Sequence, residues 1–338
     1  MRSGLCMALS LSARISITLA LLFSFCLLTY TARADAMTST IQIGKSRIDV
    51  VIEDGPLAVS HADLLEWVRW AAESVSAYYR RYPVAHVSLR IIPSEGEGVK
   101  GGKTFGGVND AGLIRIRVGS QTTVAELKSD WTLTHEMVHL AFPSVPENHH
   151  WIEEGIATYV EPIARVRAGH FDPTVMWAEV VRDMPQGLPA AGDEGLDNTH
   201  TWGRTYWGGA LFCLLADIEI HRETRNHKGL EDALIGILNS GGNISQDWNL
   251  EKALSAGDTA TGVPVLSRLY ENMKDKPASV DLDAIWLQLG IQRQDGRVVF
   301  DDHAQLAAVR KAITFGNGAP SSTPAANLRP TAFFAGRR

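Results

Sequence analysis

Two histidines and two glutamates stand at spacings that suit a single metal ion. His135 and His139 are four residues apart with Glu136 between them, and on a helix this H-E-x-x-H spacing puts both imidazoles on one face. Zinc sites that carry out chemistry usually have three protein ligands and one open position, so a third ligand is expected downstream. Glu154, in the segment W-I-E-E-G, meets this expectation. The pattern predicts a zinc site with Glu136 beside the open position as general base.

A helix is predicted around the two histidines. Apolar residues recur at intervals of three or four from Val124 to Ala141, which is the period of an amphipathic helix. Pro143 ends the pattern, so the predicted helix covers residues 124–142. Such a helix gives the H-E-x-x-H segment the geometry that metal binding requires.

H-E-x-x-H followed by W-I-E-E-G resembles the gluzincin metallopeptidases, in particular the group of aminopeptidase N and glycyl aminopeptidase. In that group a second helix opens with W-L-x-E-G and supplies its last glutamate as the third zinc ligand, which is Glu154 here. The segment between His139 and Glu154 is shorter than in aminopeptidase N, which implies a shortened loop between the two helices. The resemblance implies one Zn²⁺ ion and an α+β fold of the thermolysin-like zincin type. Such a fold has a mixed sheet, an active-site helix and a mainly helical C-terminal subdomain.

A second stretch, T-Y-W-G-G-A at residues 205–210, resembles the Y-x-K-G-A segment of the same family. The family's tyrosine stabilises the oxyanion, and the resemblance gives this role to Tyr206, while Gly208 replaces the lysine. The family also binds the substrate backbone along an edge strand, for which residues 113–118 are the expected counterpart. The G-x-M-E-N segment that grips the amino terminus of aminopeptidase substrates has no counterpart, and Asp110 is the nearest carboxylate.

Four more polar residues could contact the site. Glu161 follows Glu154 by two helical turns, so it either accepts a hydrogen bond from a ligand histidine or is a solvated glutamate at the helix end. His149 and His150 lie in the predicted loop before the second helix, where a histidine pair is usually exposed. His200 is a candidate for substrate contact.

Residues 1–34 have the features of a secretory signal peptide. Arg2 and Arg14 precede an apolar run over residues 15–28, and A-R-A stands directly before Asp35, where cleavage is expected. The apolar run is short for a membrane span. We therefore predict a secreted or periplasmic protein with no stable membrane anchor after cleavage.

The charge and cysteine content bear on partners and on stabilisation. The chain has 32 basic and 38 acidic residues. The signal region holds three of the basic residues and no acidic one, so the remainder has 29 basic and 38 acidic residues and a net charge of −9. An acidic protein is a poor partner for nucleic acids or anionic membranes. Cleavage would leave Cys213 as the single cysteine, which excludes an internal disulfide and predicts a buried thiol.

The sequence predicts strands and one long helix before the motif, and mainly helices after it. Strands are expected at residues 41–53, 86–92 and 113–118, a helix at 61–82, and a mobile loop at the glycine-rich residues 96–107. Later helices are expected at residues 171–182, 203–222, 230–238 and 266–273, with two short ones around a turn in residues 282–313.

These predictions divide the chain into four parts: the signal peptide (1–34), an α/β part with the motif helix (35–145), a helical part with the third ligand and Tyr206 (146–315), and a disordered tail (316–338). The predicted function is that of an exported zinc-dependent metallopeptidase acting on peptide or protein substrates. An aminopeptidase with a different amine clamp and a non-catalytic zinc-containing binding protein are the alternatives. The oligomeric state is left open.

Overall fold

A five-stranded mixed sheet begins the part of the chain that the computed structural model describes, residues 37–107 and 111–316. Its strands are β1 (Met37–Ile43), β2 (Ser46–Ile52), β3 (His86–Ser94), β4 (Val99–Gly106) and β5 (Ala111–Gly119). Hydrogen bonds order them β1-β2-β3-β5-β4. Strands β2, β3 and β5 run parallel, while β1 and β4 are antiparallel to their neighbours.

One face of this sheet is buried because apolar residues alternate along its strands. In β3, Val87, Leu89 and Ile91 are fully buried, and the residues between them are partly or fully exposed. Successive side chains on a strand point to opposite faces, so this alternation places one face on the core. Helix α1 (His61–Tyr79) joins the same core and begins with a reciprocal capping box between Ser60 and Asp63.

The glycine-rich residues 96–107 form the edge strand β4, so the prediction of a mobile loop there is wrong. Residues 113–118 are likewise not at the edge, because β5 lies between β3 and β4. A Cβ atom at Gly102 would lie 2.6 Å from Cγ of Glu136. Glycine is needed there because the helix that carries the H-E-x-x-H motif approaches the strand closely, which is a recognised use of glycine within strands.

The helix predicted over residues 124–142 is two helices, α2 (Val124–Ser129) and α3 (Thr132–His139). Asp130 separates them, because its carboxylate accepts hydrogen bonds from the backbone N–H groups two and three residues further on, both at 3.0 Å. An aspartate in this role caps a new helix rather than continuing the old one. The motif therefore has a short helix of its own.

The rest of the described chain is mainly helical. Its helices are α4 (His150–Arg167), α5 (Pro173–Asp183), α6 (Gly209–Glu223), α7 (Leu230–Asn239), α8 (Leu250–Thr261), α9 (Val265–Met273), α10 (Leu282–Leu289) and α11 (Ala307–Phe315). A π-helical turn (Arg204–Gly208) precedes α6, and a hairpin of β6 (Ile291–Gln294) and β7 (Arg297–Phe300) follows α10. The prediction missed α8 and read the π-helical turn as the first turn of a regular helix. The predicted α+β class, with a mixed sheet followed by helices, is confirmed.

Helices α4 and α6 meet backbone to backbone. A Cβ at Gly155 would collide with the backbone of Gly209, and one at Gly209 would collide with that of Trp151. The residue next to Gly155 is Glu154, and Gly209 directly follows the turn that carries Tyr206. The glycine contact thus brings the predicted third ligand and the predicted catalytic tyrosine to one place.

Several predictions fall on other parts of the chain. The signal peptide (1–34), the tail (316–338, apart from Gly316) and Asp110 lie outside the described residues. The boundary at residue 145 stays a prediction. In the described residues Cys213 is a buried free thiol, as expected, and no helix there combines the length and apolarity of a membrane span.

Candidate metal centre

Three predicted ligands converge in a largely buried cluster. His135 and His139 project from α3, and Glu154 projects from the first turn and a half of α4. Nε2 of His135 lies 3.1 Å from Oε2 of Glu154, and Nε2 of His139 lies 3.7 Å from the same oxygen. One ligand atom from each residue fits within a mutual distance of 4.8 Å.

The cluster passes a geometric test for a zinc ion. With bonds of about 2.0–2.1 Å, neighbouring ligand atoms of a tetrahedral zinc site are about 3.3 Å apart, and the distances of 3.1 and 3.7 Å lie on either side of that value. Two imidazoles and one carboxylate are also a ligand set found in catalytic zinc sites. The residues present therefore fit the ion that the sequence predicts.

The protonation states also suit metal binding. Burial lowers the pKa of His139 to about 4, although the charge of Glu154 opposes this shift. Burial acts to raise the pKa of Glu154, but hydrogen bonds from His135 and His150 outweigh it and hold that pKa well below its usual range. At neutral pH, His139 is therefore neutral and Glu154 is ionised, and these are the forms that bind metals.

His150 forms a hydrogen bond with the second carboxylate oxygen of Glu154, a contact that the sequence analysis did not predict. Its Nδ1 lies 2.9 Å from Glu153, and its Nε2 lies 3.2 Å from Oε1 of Glu154. These two hydrogen bonds raise the pKa of His150 to about 10. Oε2 of Glu154 is left facing the imidazoles. The spacing of four residues between His150 and Glu154 was the signal, but it indicates a contact only if α4 begins at His150.

Glu136 lies between α3 and the edge strand β4. Oγ1 of Thr104 donates to Oε2 of Glu136 at 2.7 Å, and the same hydroxyl is 2.8 Å from the backbone oxygen of Glu136. Burial raises the pKa of Glu136, while the bond from Thr104 opposes the shift. Thr104 was missed because its segment was read as a loop.

Tyr206 lies beside the cluster, in contact with His135 and Glu154. Its ring stacks on that of His135, with centroids 6.3 Å apart and an angle of 20° between the planes. Burial, followed by the charge and hydrogen bond of Glu154, raises the pKa of Tyr206 to about 12. The phenol is therefore protonated at neutral pH and can donate a hydrogen bond. Its π-helical turn is a form that often occurs at functional sites.

The remaining candidate residues have mixed outcomes. Glu161 is buried and pairs with Arg165 at 2.9 Å, so the solvated alternative is wrong. Nδ1 of His135 has no hydrogen-bond partner within the described residues, so a hydrogen bond from this ligand to Glu161 is not seen either. His149 is buried against Asp197 at 2.9 Å, and His200 is exposed.

The predicted loop at residues 188–200 joins α4 to the π-helical turn through contacts that the sequence analysis did not predict. Asp197 accepts hydrogen bonds from Trp151 in the first turn of α4 and from Tyr270 in α9, both at 2.8 Å. Asp193 pairs with Arg204 in the π-helical turn at 2.7 Å, and both side chains are almost fully buried. The loop of residues 188–201 is thus anchored to the element with the third ligand and to the element with Tyr206.

Comparison with known proteins identifies the fold. No protein-family model matches the sequence, and no curated protein matches it. Among solved structures, an aminopeptidase N family protein from Idiomarina loihiensis is similar with a TM-score of 0.55 and 12% identity, over 77% of this chain and 50% of that one. An M1 zinc metallopeptidase from Deinococcus radiodurans has a TM-score of 0.46 and 14% identity, over 73% and 54%.

The likeness to the Idiomarina protein confirms the predicted resemblance to the aminopeptidase N group at the level of the fold. The chain has the α+β fold of that protein, with a five-stranded mixed sheet beside a helical region. It spans about half the length of the solved structures that it matches.

Proposed function

We propose that this chain is a zinc-dependent metallopeptidase that hydrolyses peptide bonds. One observation carries the proposal: the buried carboxylate of Glu136 and the phenol of Tyr206 both lie beside the His135, His139 and Glu154 cluster. A metal bound only for stability needs neither a buried carboxylate beside it nor a phenol held in its protonated form. Hydrolysis needs both a base and a hydrogen-bond donor.

The three ligands would hold one Zn²⁺ ion, which supplies Lewis-acid chemistry when bound and lowers the pKa of water. Glu136 accepts the proton that the attacking water loses and transfers it to the leaving amine. Burial raises the pKa of Glu136 towards neutral pH, and a pKa nearer to neutral favours both proton transfers. Thr104 fixes the orientation of that carboxylate.

Tyr206 donates a hydrogen bond to the oxygen that becomes negative in the transition state. Such a donor can lower the activation free energy by about 3–4 kcal/mol. Its two ring neighbours, His135 and Trp202, hold the phenol in place.

Substitution Glu136→Gln tests the proposal because it removes the base and keeps the size of the side chain. We expect zinc content to be unchanged and cleavage of a peptide library to fall by about 10²–10⁴-fold. Zinc is measured by elemental analysis and cleavage by mass spectrometry of the digest. If the variant retains zinc and matches the wild type on every substrate, the non-catalytic binding protein is the better description.

The carboxylates favour cleavage within chains over aminopeptidase activity. Among the described residues, Glu136 is bound by Thr104, Glu154 by His135 and His150, and Glu153 by His150 and a backbone N–H. Each of the three already has a partner, and Asp110, the carboxylate nearest to the position of the family's amine clamp, lies outside the described residues. We therefore expect N-acetylated peptides to be cleaved as well as free ones, and a strict requirement for a free amine would favour the aminopeptidase alternative.

We also propose that the protein is exported, on the sequence of residues 1–35 alone. The apolar run and the A-R-A segment support cleavage before Asp35. Sequencing the amino terminus of the protein from its native cells would give Asp35 first. An intact Met1 would contradict export by this route.

A further inference from the structure

Three aromatic rings form a stack that runs outward from the candidate metal centre. The centroid of the Tyr206 ring is 6.3 Å from that of His135 and 5.4 Å from that of Trp202, with angles of 20° and 23° between the ring planes. His135 is 5% exposed, whereas Trp202 is 51% exposed. The inner face of the indole is thus covered by Tyr206, and its other surface is open to solvent.

The exposed indole leaves a large apolar surface in contact with water beside the candidate site. Among the described residues, the exposed large apolar side chains include one tryptophan, Trp202. An exposed aromatic ring that stacks on a candidate catalytic residue is placed to contact a ligand bound at that site.

The backbone around Trp202 is held firmly. The side chain of Thr201 accepts a hydrogen bond from the N–H of Arg204 at 3.3 Å, and its carbonyl accepts one from Thr205 at 2.8 Å. A Cβ at Gly203 would lie 2.5 Å from the backbone oxygen of Gln186, so the chain is closely packed there. A fixed ring loses little conformational freedom when a ligand binds to it.

We propose that Trp202 is a substrate-binding residue that stacks an aromatic side chain of the peptide, a role that rests on the proposed peptidase function. A ring placed on the indole gains both the burial of apolar area and the attraction between aromatic rings. A lysine or arginine on an exposed indole gains only a weak attraction. Aromatic residues are therefore preferred over cationic ones.

Trp202 contacts Tyr206, and Tyr206 in turn contacts His135, so the indole is one ring further from the candidate metal ligands than the phenol. We therefore expect the recognised aromatic residue to lie elsewhere than directly at the cleaved bond.

Binding to the zinc-loaded Glu136→Gln protein tests this inference without turnover. The probes are peptides of eight residues, acetylated and amidated, in which a single phenylalanine, alanine or lysine is moved along an otherwise constant sequence. Calorimetry gives each dissociation constant. We expect phenylalanine to bind about tenfold more tightly than alanine or lysine at one position.

Variants then assign the preference to the indole. Trp202→Ala in the Glu136→Gln protein should reduce the phenylalanine preference to about onefold, and Trp202→Tyr should retain most of it. Trp70→Ala is the matched control, since Trp70 is a partly exposed tryptophan on α1 whose ring packs against His170. The control should leave the preference unchanged. The ratio between the dissociation constants of the peptides is the readout because a displaced Tyr206 would change the binding of all peptides alike.

The outcomes separate this inference from the proposed function. The proposed role of Trp202 is wrong, and the proposed peptidase function stands, if the wild type cleaves peptides but Trp202→Ala keeps the phenylalanine preference. The same conclusion follows if no peptide position shows a phenylalanine preference. A preference for lysine overturns the aromatic assignment. If the preference depends on Trp202 but the wild type cleaves nothing, the subsite stands and the peptidase proposal fails.

Discussion

Tyr206 shows how a residue's surroundings decide its role. Its phenol is partly buried beside the ionised Glu154, and both effects raise its pKa, to about 12. A phenol with this pKa keeps its proton throughout the neutral range, so it acts as a hydrogen-bond donor and not as a base. A residue whose task is only to donate should matter in the transition state and not in substrate binding.

Tyr206→Phe is therefore expected to lower kcat by about 10²–10³-fold while KM changes little, since one donor to the oxyanion is removed. Steady-state kinetics on the best library peptide, with zinc content as a control, would measure this. An unchanged kcat would contradict the role of Tyr206, and a change confined to KM would make it a binding residue.

His150 predicts how the stability of the metal-free protein depends on pH. Its pKa is raised to about 10 by hydrogen bonds to Glu153 and Glu154, from an unfolded value near 6.5. The folded state binds this proton more tightly, so the stabilisation is fully present below about pH 6.5 and is lost as the pH rises towards 10. The exposure of the ring, 43% of its side chain, makes the effect small.

We expect the melting temperature of the metal-free protein to fall between pH 6.5 and 10, and the fall to be smaller in His150→Gln. Thermal unfolding at several pH values, with a chelator present, measures the difference. Equal slopes for the two proteins would show that the His150 contacts do not form.

At the scale of elements, the edge strand and the motif helix depend on each other. Gly102 leaves room for Glu136, and Thr104, two residues on and on the same face of β4, binds its carboxylate. Gly102→Ala would push the Glu136 side chain aside, because Cγ of that residue is only 2.6 Å from the added carbon. We expect cleavage to fall at least tenfold with zinc retained.

Lys100→Ala is the matched control for Gly102→Ala, because Lys100 is an exposed residue of the same strand. Its activity should remain within about twofold of the wild type. If Gly102→Ala is as active as this control, the edge strand does not position the base.

The elements also show what the sequence could predict. The ligands were predictable because H-E-x-x-H and the glutamate before Gly155 are local patterns with a fixed meaning on helices. Strand β4 was not, because glycines at 101, 102 and 106 read as a loop unless the helix that packs on them is known. Asp130 could have been read as a helix cap, but the apolar period continues across it. The contacts of Asp193 and Asp197 join segments far apart in sequence, and no local pattern indicates them.

At the scale of the whole molecule, the metal would join two elements of the core. His135 and His139 come from α3 and Glu154 from α4, so a bound ion fixes one helix to the other. A ligand that binds only the folded state stabilises it by RT ln(1 + [L]/Kd), or about 4 kcal/mol at 1,000 times Kd. For a chain of this size, such a loss lowers the melting temperature by about 5–10 °C.

Removal of zinc with a chelator should therefore lower the melting temperature by about that amount, and added zinc should restore it. Calorimetry measures both steps. Glu154→Gln provides the control, because it removes the ligand charge and should abolish most of the response to chelator. A wild-type melting temperature that ignores the chelator would show that no tightly held ion links α3 and α4.

The contact between Gly155 and Gly209 has a consequence for recognising related chains. Each glycine leaves the space that the other's backbone fills, so the two positions form a matched pair although they belong to different motifs. A distant sequence that has H-E-x-x-H and the later tyrosine but bulky residues at either position could not bring its carboxylate and its phenol together. Searches for such proteins would gain discrimination by requiring both small residues at once.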